Sequence, residues 1–449
     1  MYKKLRFAAR LTTALFTKYY LAIILGLVLG IASFIGLPPL LARLPYIRPT
    51  ITTALVGRFT EKELPNTVLQ KMSIGLTTIG ESGVPAPGLA QSWEATDSGK
   101  VYIFTLSPDL RWHDGTSVKS SDISLNFKDA EVEIRDDTHL QIKLQNPFAP
   151  LASIVARPLF KSEKNSRLVG VGSYKLRSVR KNGSFVESII LAPIEKDSKL
   201  PLLKYNFYAT QSQARTAFKL GLVQIVSSVS ETGDLASWPN LEVANQVAID
   251  RHVVLFFDTS GDLFSGASGK NLRLALNYAI DKSRYQARSI GPLSSSSWAF
   301  NNTIRKYDFD LKRAKDLFSK VEKQPEEIDL VTLPIYEQAA NQIKTDWEAL
   351  GLKVNIKVNQ DIPDKYEALL VAQVIPTDPD QYNFWHSTQT GTNLSRFNNP
   401  RIDKLLEDGR KTLDLTERKK LYADFQRFLL DESPAVFLYF PETYTITKK

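Results

Sequence analysis

Apolar residues run almost without interruption over residues 20–37 (Tyr-Leu-Ala-Ile-Ile-Leu-Gly-Leu-Val-Leu-Gly-Ile-Ala-Ser-Phe-Ile-Gly-Leu), and no charged side chain occurs over residues 19–42. Roughly 20 such residues wound as a helix cross the hydrocarbon core of a bilayer, so a transmembrane anchor is expected over 19–42. Tyr19 and Tyr20 stand at the entry end, where aromatic rings favour the interface, and the basic residues of 1–18 predict a cytoplasmic tail. A cleaved signal peptide is the alternative. The apolar stretch exceeds the roughly 7–15 residues of such a segment, and no clear Ala-x-Ala site follows it. Four prolines over residues 38–50 then read as a stiff stalk, 43–50.

Past residue 50 the pattern shortens. Val101–Leu106 and His139–Leu144 alternate or are rich in β-formers, which predicts strands, as does the stretch 132–134. Asp114-Gly115 is a turn signal, and Ser121-Asp122 offers a cap to a following helical turn. Residues 272–280, 311–321 and 339–350 repeat apolar positions at three and four, as helices do. Gly351 stops the third of these, and 352–358 alternates as a strand. Residues 401–430 read as two helices parted near 413–416, and 434–440 as a buried strand. This succession predicts α/β layering. There is no internal repeat, and the serine run 294–297 is a loop by composition.

A length of 449 residues, with 43% hydrophobic and 23% charged side chains, is ordinary globular composition with material for a large core. The formal charge of +9 is concentrated at the N-terminus. Residues 1–43 hold six bases (Lys3, Lys4, Arg6, Arg10, Lys18, Arg43) and no acid, leaving 51 bases against all 48 acids in the remainder. Such a cluster suits an anionic membrane face rather than nucleic acid. Cysteine is absent, which excludes disulfides, thiolate metal sites, a Cys nucleophile and lipid attachment at an N-terminal Cys.

A search for catalytic chemistry finds no convincing active site. The four histidines, His113, His139, His252 and His386, show no metal-ligand spacing. The G-x-S-x-G and H-E-x-x-H patterns do not occur. Gly269-Lys270 would need glycine where Phe264 stands, and Ser or Thr where Asn271 stands, to be a phosphate loop. Gly170-Val-Gly172 meets Lys175 at the third glycine of a dinucleotide fingerprint. Asp378-Pro-Asp380 is either a carboxylate pair or a turn, and one short acidic pair is more often a turn. No catalytic residue, metal site or cofactor is expected.

Several segments in order resemble one family. Pro87-Gly-Leu-Ala-Gln-Ser-Trp93, Trp112-His-Asp-Gly-Thr116 with Ser121-Asp122, and Val169-Gly-Val-Gly-Ser-Tyr-Lys-Leu176 are similar to motifs of bacterial extracellular solute-binding proteins, family 5. That family includes the oligopeptide-, dipeptide- and nickel-binding components of ABC transporters. Arg273-Leu-Ala-Leu-Asn-Tyr-Ala-Ile-Asp281 resembles its R-x-A-l-x-y-A-I-D. Asn398-Asn-Pro-Arg-Ile-Asp-Lys-Leu-Leu406, Glu417-Arg418 with Tyr422, and Pro434-Ala-Val-Phe-Leu-Tyr439 resemble its C-terminal block. Each motif alone is weak, and their shared order over roughly residues 50–446 is specific. Most read as scaffold, with Asp114-Gly115 as a turn and Arg273 and Asp281 pinning a helix.

The resemblance implies an α/β, two-lobed periplasmic-binding-protein-like fold of the elongated type II class, with a reduced accessory subdomain and one transmembrane helix before it. Lobe I is expected at 51–252 plus 435–449 and lobe II at 253–434, joined by crossing strands at Arg251-His-Val-Val-Leu-Phe-Phe-Asp258 and 435–439. The implied function is a receptor that closes on a small peptide or other solute for an ABC permease. A sensor or adhesion module on the same fold, or an extracellular hydrolase, are the alternatives. Trp298, Tyr382 and Trp385, aromatic residues in polar surroundings, are candidate walls of an interlobe cleft. His386, Asn393, Arg396, Asp378 and Asp380 are the polar candidates. Each is also readable as a structural residue. Peptide-binding members commonly place an aspartate three residues before the acidic-Pro pair to hold the peptide's α-ammonium. Here Ile375 occupies that position, so either the ligand brings no free amine there or Asp378 or Asp380 takes over.

Overall fold

The computed structural model describes residues 17–22, 24–36, 48–162, 168–195 and 198–449, together with Thr13. Most of the basic tail 1–18, residues 37–42 of the expected anchor and most of the stalk 43–50 lie outside them. The chain divides into two compact units, Met1–Pro49 and Thr50–Lys449. In the first, α1 (Thr17–Gly36) is long and apolar enough to cross a membrane, and its described side chains are all exposed.

In chain order the second unit begins with β1 (Thr50–Val56), α2 (Asn66–Met72), the hairpin β2 (Thr77–Ile79) and β3 (Pro85–Pro87), β4 (Ala90–Thr96), β5 (Val101–Leu106), β6 (Ala130–Ile134), β7 (His139–Leu144) and α3 (Leu151–Ile154). Next come β8 (Tyr174–Asn182), β9 (Phe185–Pro193), β10 (Leu202–Tyr208), α4 (Gln211–Lys219), β11 (Ile225–Val229) and β12 (Leu241–Val247). The second half holds β13 (Arg251–Phe257), α5 (Gly266–Ala279), α6 (Leu311–Phe318), β14 (Glu327–Thr332), α7 (Glu337–Glu348), β15 (Lys353–Val358) and β16 (Ala368–Val374). It ends with α8 (Tyr382–Trp385), α9 (Pro400–Lys411), α10 (Leu415–Glu432), β17 (Ala435–Tyr439) and β18 (Glu442–Lys448).

Two sheets organise these elements. The first, in the order β12-β18-β11-β1-β10-β9-β8, has β1 parallel to both β10 and β11, with antiparallel pairs on either side. The second runs β15-β14-β16-β13-β17, with β14 parallel to β15 and β16. In β13 and β16, six of seven and five of seven residues are buried. A strand covered on both faces needs such near-continuous apolar sequence. An antiparallel four-stranded sheet, β4-β5-β7-β6, forms a satellite with its own core around Trp112, Tyr102 and Phe104.

The helices expected from three-four periodicity are present as α5, α6 and α7, and α9 and α10 cover the two expected over 401–430. Asp310 caps α6, Asn399 caps α9 and Asp414 caps α10, each accepting a backbone N–H of the first turn. Gly351 ends α7 at φ +91°, a conformation that side chains with a Cβ rarely adopt. Asp114-Gly115 forms the expected turn, with Gly115 N donating to Trp112 O at 2.8 Å. Arg273 does pin a helix, since its guanidinium donates to Phe264 O, Glu432 O and Ser433 O and ties α5 to the end of α10.

Two expectations are corrected. Ser121-Asp122 caps no following helix. They form a single 3-10 turn, Ser120–Asp122, and the Asp122 carboxylate instead accepts Trp112 Nε1 at 2.9 Å and Lys119 N at 3.0 Å. The lobe boundary also moves. β17 pairs with β13 inside the second sheet, while β18 pairs with β11 and β12 in the first. Residues 251–252 and 435–439 therefore belong with the second sheet. The links between sheets are Ala248–Asp250 and Phe440–Pro441, bonded to each other through Ala248 N and Pro441 O at 2.9 Å.

Candidate functional site

Side chains from both main sheets face one cleft of about 940 Å³ beside these links. Part of its wall comes from the carboxyl ends of parallel strands, and the rest from the links and the adjoining ends of antiparallel β12, β13, β17 and β18. Ser228 lies near the end of β11 and Ser230 just past it, and Gln211 opens α4 just past β10. From the other side, Ile335 and Tyr336 follow β14. Open α/β sheets expose loops and helix starts at those ends, which is where they take ligands.

On the second-sheet side the cleft is aromatic. Tyr285 follows the 3-10 turn Lys282–Arg284, which Asp281 caps through Ser283 N. The turn is anchored to α7 by Asp346, whose carboxylate accepts Asp281 N at 3.0 Å and Arg284 Nη2 at 2.8 Å. Beneath it the Lys282 ammonium is buried and donates to Asn277 O and Ile280 O, and burial pulls its pKa down to about 7. So held, the Tyr285 ring stacks on that of Tyr439, the last residue of β17, at 4.5 Å between centroids. Burial pushes the Tyr285 phenol up to about 12. The Tyr439 phenol is raised further, by burial and then by Tyr285 and Tyr336 nearby. The Tyr285 hydroxyl is shielded and makes no hydrogen bond.

On the first-sheet side the lining is polar. Gln211 exchanges hydrogen bonds with the Ser230 hydroxyl and backbone N–H. Ser228 sits at φ +58°, a left-handed conformation uncommon for a residue with a Cβ and frequent at functional loops. Asp250 accepts two bonds from the neighbouring Arg251 guanidinium, at 3.2 and 3.0 Å.

Behind the links lies His252. It is fully buried, with Nδ1 3.0 Å from Ser289 Oγ, Nε2 3.2 Å from Gln373 Oε1, and its ring against Phe437 and Phe440. Burial lowers its pKa to about 4, so the ring is neutral at ordinary pH.

None of the eight candidates chosen from sequence is among the residues lining this cleft. Asp378 is buried and bound through both oxygens to the Arg418 guanidinium at 2.9 and 2.5 Å, and it also accepts Ser153 Oγ at 3.1 Å. Arg418 lies 5.5 Å from the Trp298 ring centroid, and Trp298 meets Tyr422 edge-on. Asp380 takes Arg410 Nε at 2.9 Å, and burial raises its pKa against the pull of that arginine. The same guanidinium covers Tyr382 at 3.9 Å, and Tyr382 stacks on His386 at 4.0 Å.

Trp385 is wholly buried against Phe256 and Phe437. His386 is buried beside Thr388 Oγ1, and Asn393 is buried with its amide on Phe397 O. Arg396 pairs with Asp258 and covers Tyr366. The structure thus assembles two arginine–carboxylate–aromatic groups, Asp378–Arg418–Trp298 and Asp380–Arg410–Tyr382–His386, which brace the second-sheet module. Both carboxylates that were expected to offer themselves to a ligand amine are engaged by arginines, Asp378 by Arg418 and Asp380 by Arg410. Ile375 is buried, and its N–H is given to Asp250 O at 2.7 Å. Tyr382 does line a second crevice of about 770 Å³ with Phe148 and Arg410.

The cleft residues Tyr285, Tyr336 and Tyr439 were missed as site residues. A signal existed for Tyr439 and Arg251, which sit at the ends of the two segments expected to cross between lobes.

The chain matches the family model for bacterial extracellular solute-binding proteins, family 5 (middle region), over residues 84–131 and 126–395. Among curated proteins it is 22% identical to a dipeptide-binding protein of Escherichia coli over 450 residues, 82% of each chain. It is 23% identical to heme-binding protein A of Haemophilus influenzae over 433 residues, 78% of this chain and 77% of that one. Among solved structures, NikZ from Campylobacter jejuni in complex with Ni(L-His) superposes with a TM-score of 0.70 at 23% identity, over 89% of this chain and 94% of that one. DppA from Helicobacter pylori in complex with the peptide STSA, an ABC transporter-associated periplasmic binding protein, gives 0.66 at 19% identity, over 89% and 94%. At these identities the structural likeness shows the fold.

Proposed function

The chain belongs to the bacterial extracellular solute-binding proteins, family 5, and on that premise we propose that it is a receptor whose two lobes close on a small peptide or similar solute and pass it to an ABC permease unchanged. The observation that carries this reading is the cleft of about 940 Å³ at the carboxyl ends of two parallel-strand sets, beside only two linking segments. Two short links leave few backbone torsions to turn when the lobes rotate, which is the geometry of hinge closure. Relatives named for dipeptides, heme and a nickel–histidine complex share the family or the fold while differing in cargo, so ligand identity rests on the cleft's own side chains.

The helix α1 and the six bases over residues 1–43 support a single-pass anchor, with the N-terminus cytoplasmic and the unit Thr50–Lys449 outside. No cofactor enters the reading. The full chain in lipid nanodiscs, offered solutes that co-purify with it, tests the proposal. A bound solute should raise the melting temperature by mass action and be recovered with unchanged mass. Recovery of a cleaved solute would replace the receptor reading with a hydrolase.

A further inference from the structure

The cleft occupies one end of the first sheet, and the opposite end carries a surface of another kind. β18 is antiparallel to both β11 and β12, and β1 is parallel to both β10 and β11. The strands β12, β11, β1 and β10 therefore all start at the end away from the cleft, where β18 finishes. Backbone bonds lace that end together. Gln224 N donates to Thr52 O at 2.9 Å, Lys448 N to Gln224 O at 3.1 Å and Lys449 N to Asn240 O at 3.0 Å. On the other flank Thr50 is the register partner of Leu202.

Each of these segments presents an apolar side chain to solvent. Leu200 stands two residues before Leu202, Leu222 two before Gln224 and Trp238 two before Asn240, while Leu220 ends α4. They are exposed to 44%, 60%, 40% and 70%, respectively. The turn that leads to Trp238 is fastened to α4 by Lys219 Nζ, which donates to Asp234 Oδ2 at 2.7 Å. Over residues 198–202, 219–224, 234–242 and 447–449 the charges are Lys199, Lys219, Lys448 and Lys449 against Asp234 and Glu242. Lys448 lies over the Phe218 ring at 5.3 Å from its centroid, and Lys449 is exposed.

Exposed leucines grouped with a tryptophan mark a surface that meets another apolar phase. Their companions fit a bilayer face. Tryptophan favours the headgroup level, leucine the acyl boundary below it, and lysine reaches back to the phosphates. The course of the chain supplies an independent argument. Thr50 opens β1 at this same end, so residues 37–49, which follow α1, join the unit here and not at the cleft. An extended stretch of that length reaches at most about 45 Å. A short tether to a membrane helix gives this end a high effective concentration at the lipid surface, so that a few apolar contacts suffice to hold it there.

We propose that the end of the first sheet bearing Leu200, Leu220, Leu222 and Trp238 rests in the headgroup region of the membrane that α1 crosses. The cleft, at the opposite end of the same strands, then stays clear of lipid. The assignment rests on the anchor reading above and adds to it a second, non-covalent contact with the bilayer.

With no cysteine in the chain, Leu222→Cys and Gln246→Cys each give the full-length protein one spin-label site, the first at the lipid-facing end and the second on the cleft wall. Both are measured in nanodiscs of phosphatidylcholine and phosphatidylglycerol loaded with one chain each. Oxygen concentrates in lipid and a nickel chelate stays in water. The ratio of their collision rates should be several-fold higher for the label at Leu222→Cys than for that at Gln246→Cys. Adding Leu220→Asp and Trp238→Asp, both at exposed positions where substitutions disturb the fold little, should bring the first ratio down to the second. Equal ratios at the two sites, or a ratio at Leu222→Cys that ignores the aspartates, overturn the contact while leaving the anchor in place. A high ratio that arises only in discs holding two chains gives this face to a second copy and overturns the lipid assignment. A chain that does not enter the discs refutes the anchor reading and the contact that rests on it.

Discussion

Without the Arg418 guanidinium, the buried Asp378 carboxylate would keep only Ser153 Oγ and the Asp380 N–H as donors. Removing one partner of a buried ion pair costs about 3–5 kcal/mol. Arg418→Met should therefore destabilise the protein by that amount in urea unfolding, while Arg418→Met combined with Asp378→Leu should recover most of the loss. A ligand role for Asp378 would show instead as weakened binding at unchanged stability. His252 gives a second test. Its folded pKa of about 4 lies below the ordinary value of about 6.5, so between these the unfolded chain binds a proton that the native state refuses. Its contribution to stability is complete above about pH 6.5 and falls as pH drops toward 4, by about 3 kcal/mol in all. In His252→Gln that part of the slope should vanish when urea midpoints are compared near neutral and near pH 5. An unaltered slope would mean that other groups set the acid sensitivity.

Among the elements, the periodic ones were readable because their patterning is local. The apolar repeats over 272–280, 311–321 and 339–350 fall on α5, α6 and α7, each running one to three residues past the end of its helix. The pattern was blind to caps and pairing. Asn399 accepts both Arg401 N and Ile402 N at the start of α9, where Asn399→Ala should cost about 1 kcal/mol in the same unfolding assay. A cost near zero would mean that Pro400, preset for the first helical position, suffices. The lobe boundary was drawn one strand out for a related reason. β17 is an apolar run at the end of the chain, and nothing local distinguishes pairing with β13 from pairing with the first sheet.

For the molecule as a whole, the absence of cysteine permits a direct test of the membrane arrangement. Ser295 is exposed in the Thr50–Lys449 unit. In intact cells stripped of the wall, Ser295→Cys should react with a membrane-impermeant maleimide, whereas Lys4→Cys should react only after lysis. The opposite labelling pattern would refute an extracellular receptor.

By itself the sequence determined the apolar span, the alternation of strands and helices and the order of the family motifs, because each is read along the chain without knowing which segments meet in space. The tertiary structure decided which charged groups neutralise one another. Asp378 and Asp380 read as candidate ligands along the chain, and the fold sets Arg418 and Arg410, 40 and 30 residues away, on them. Coulombic partnership acts through space over a few ångströms, and the fold, not chain separation, sets which charges come that close.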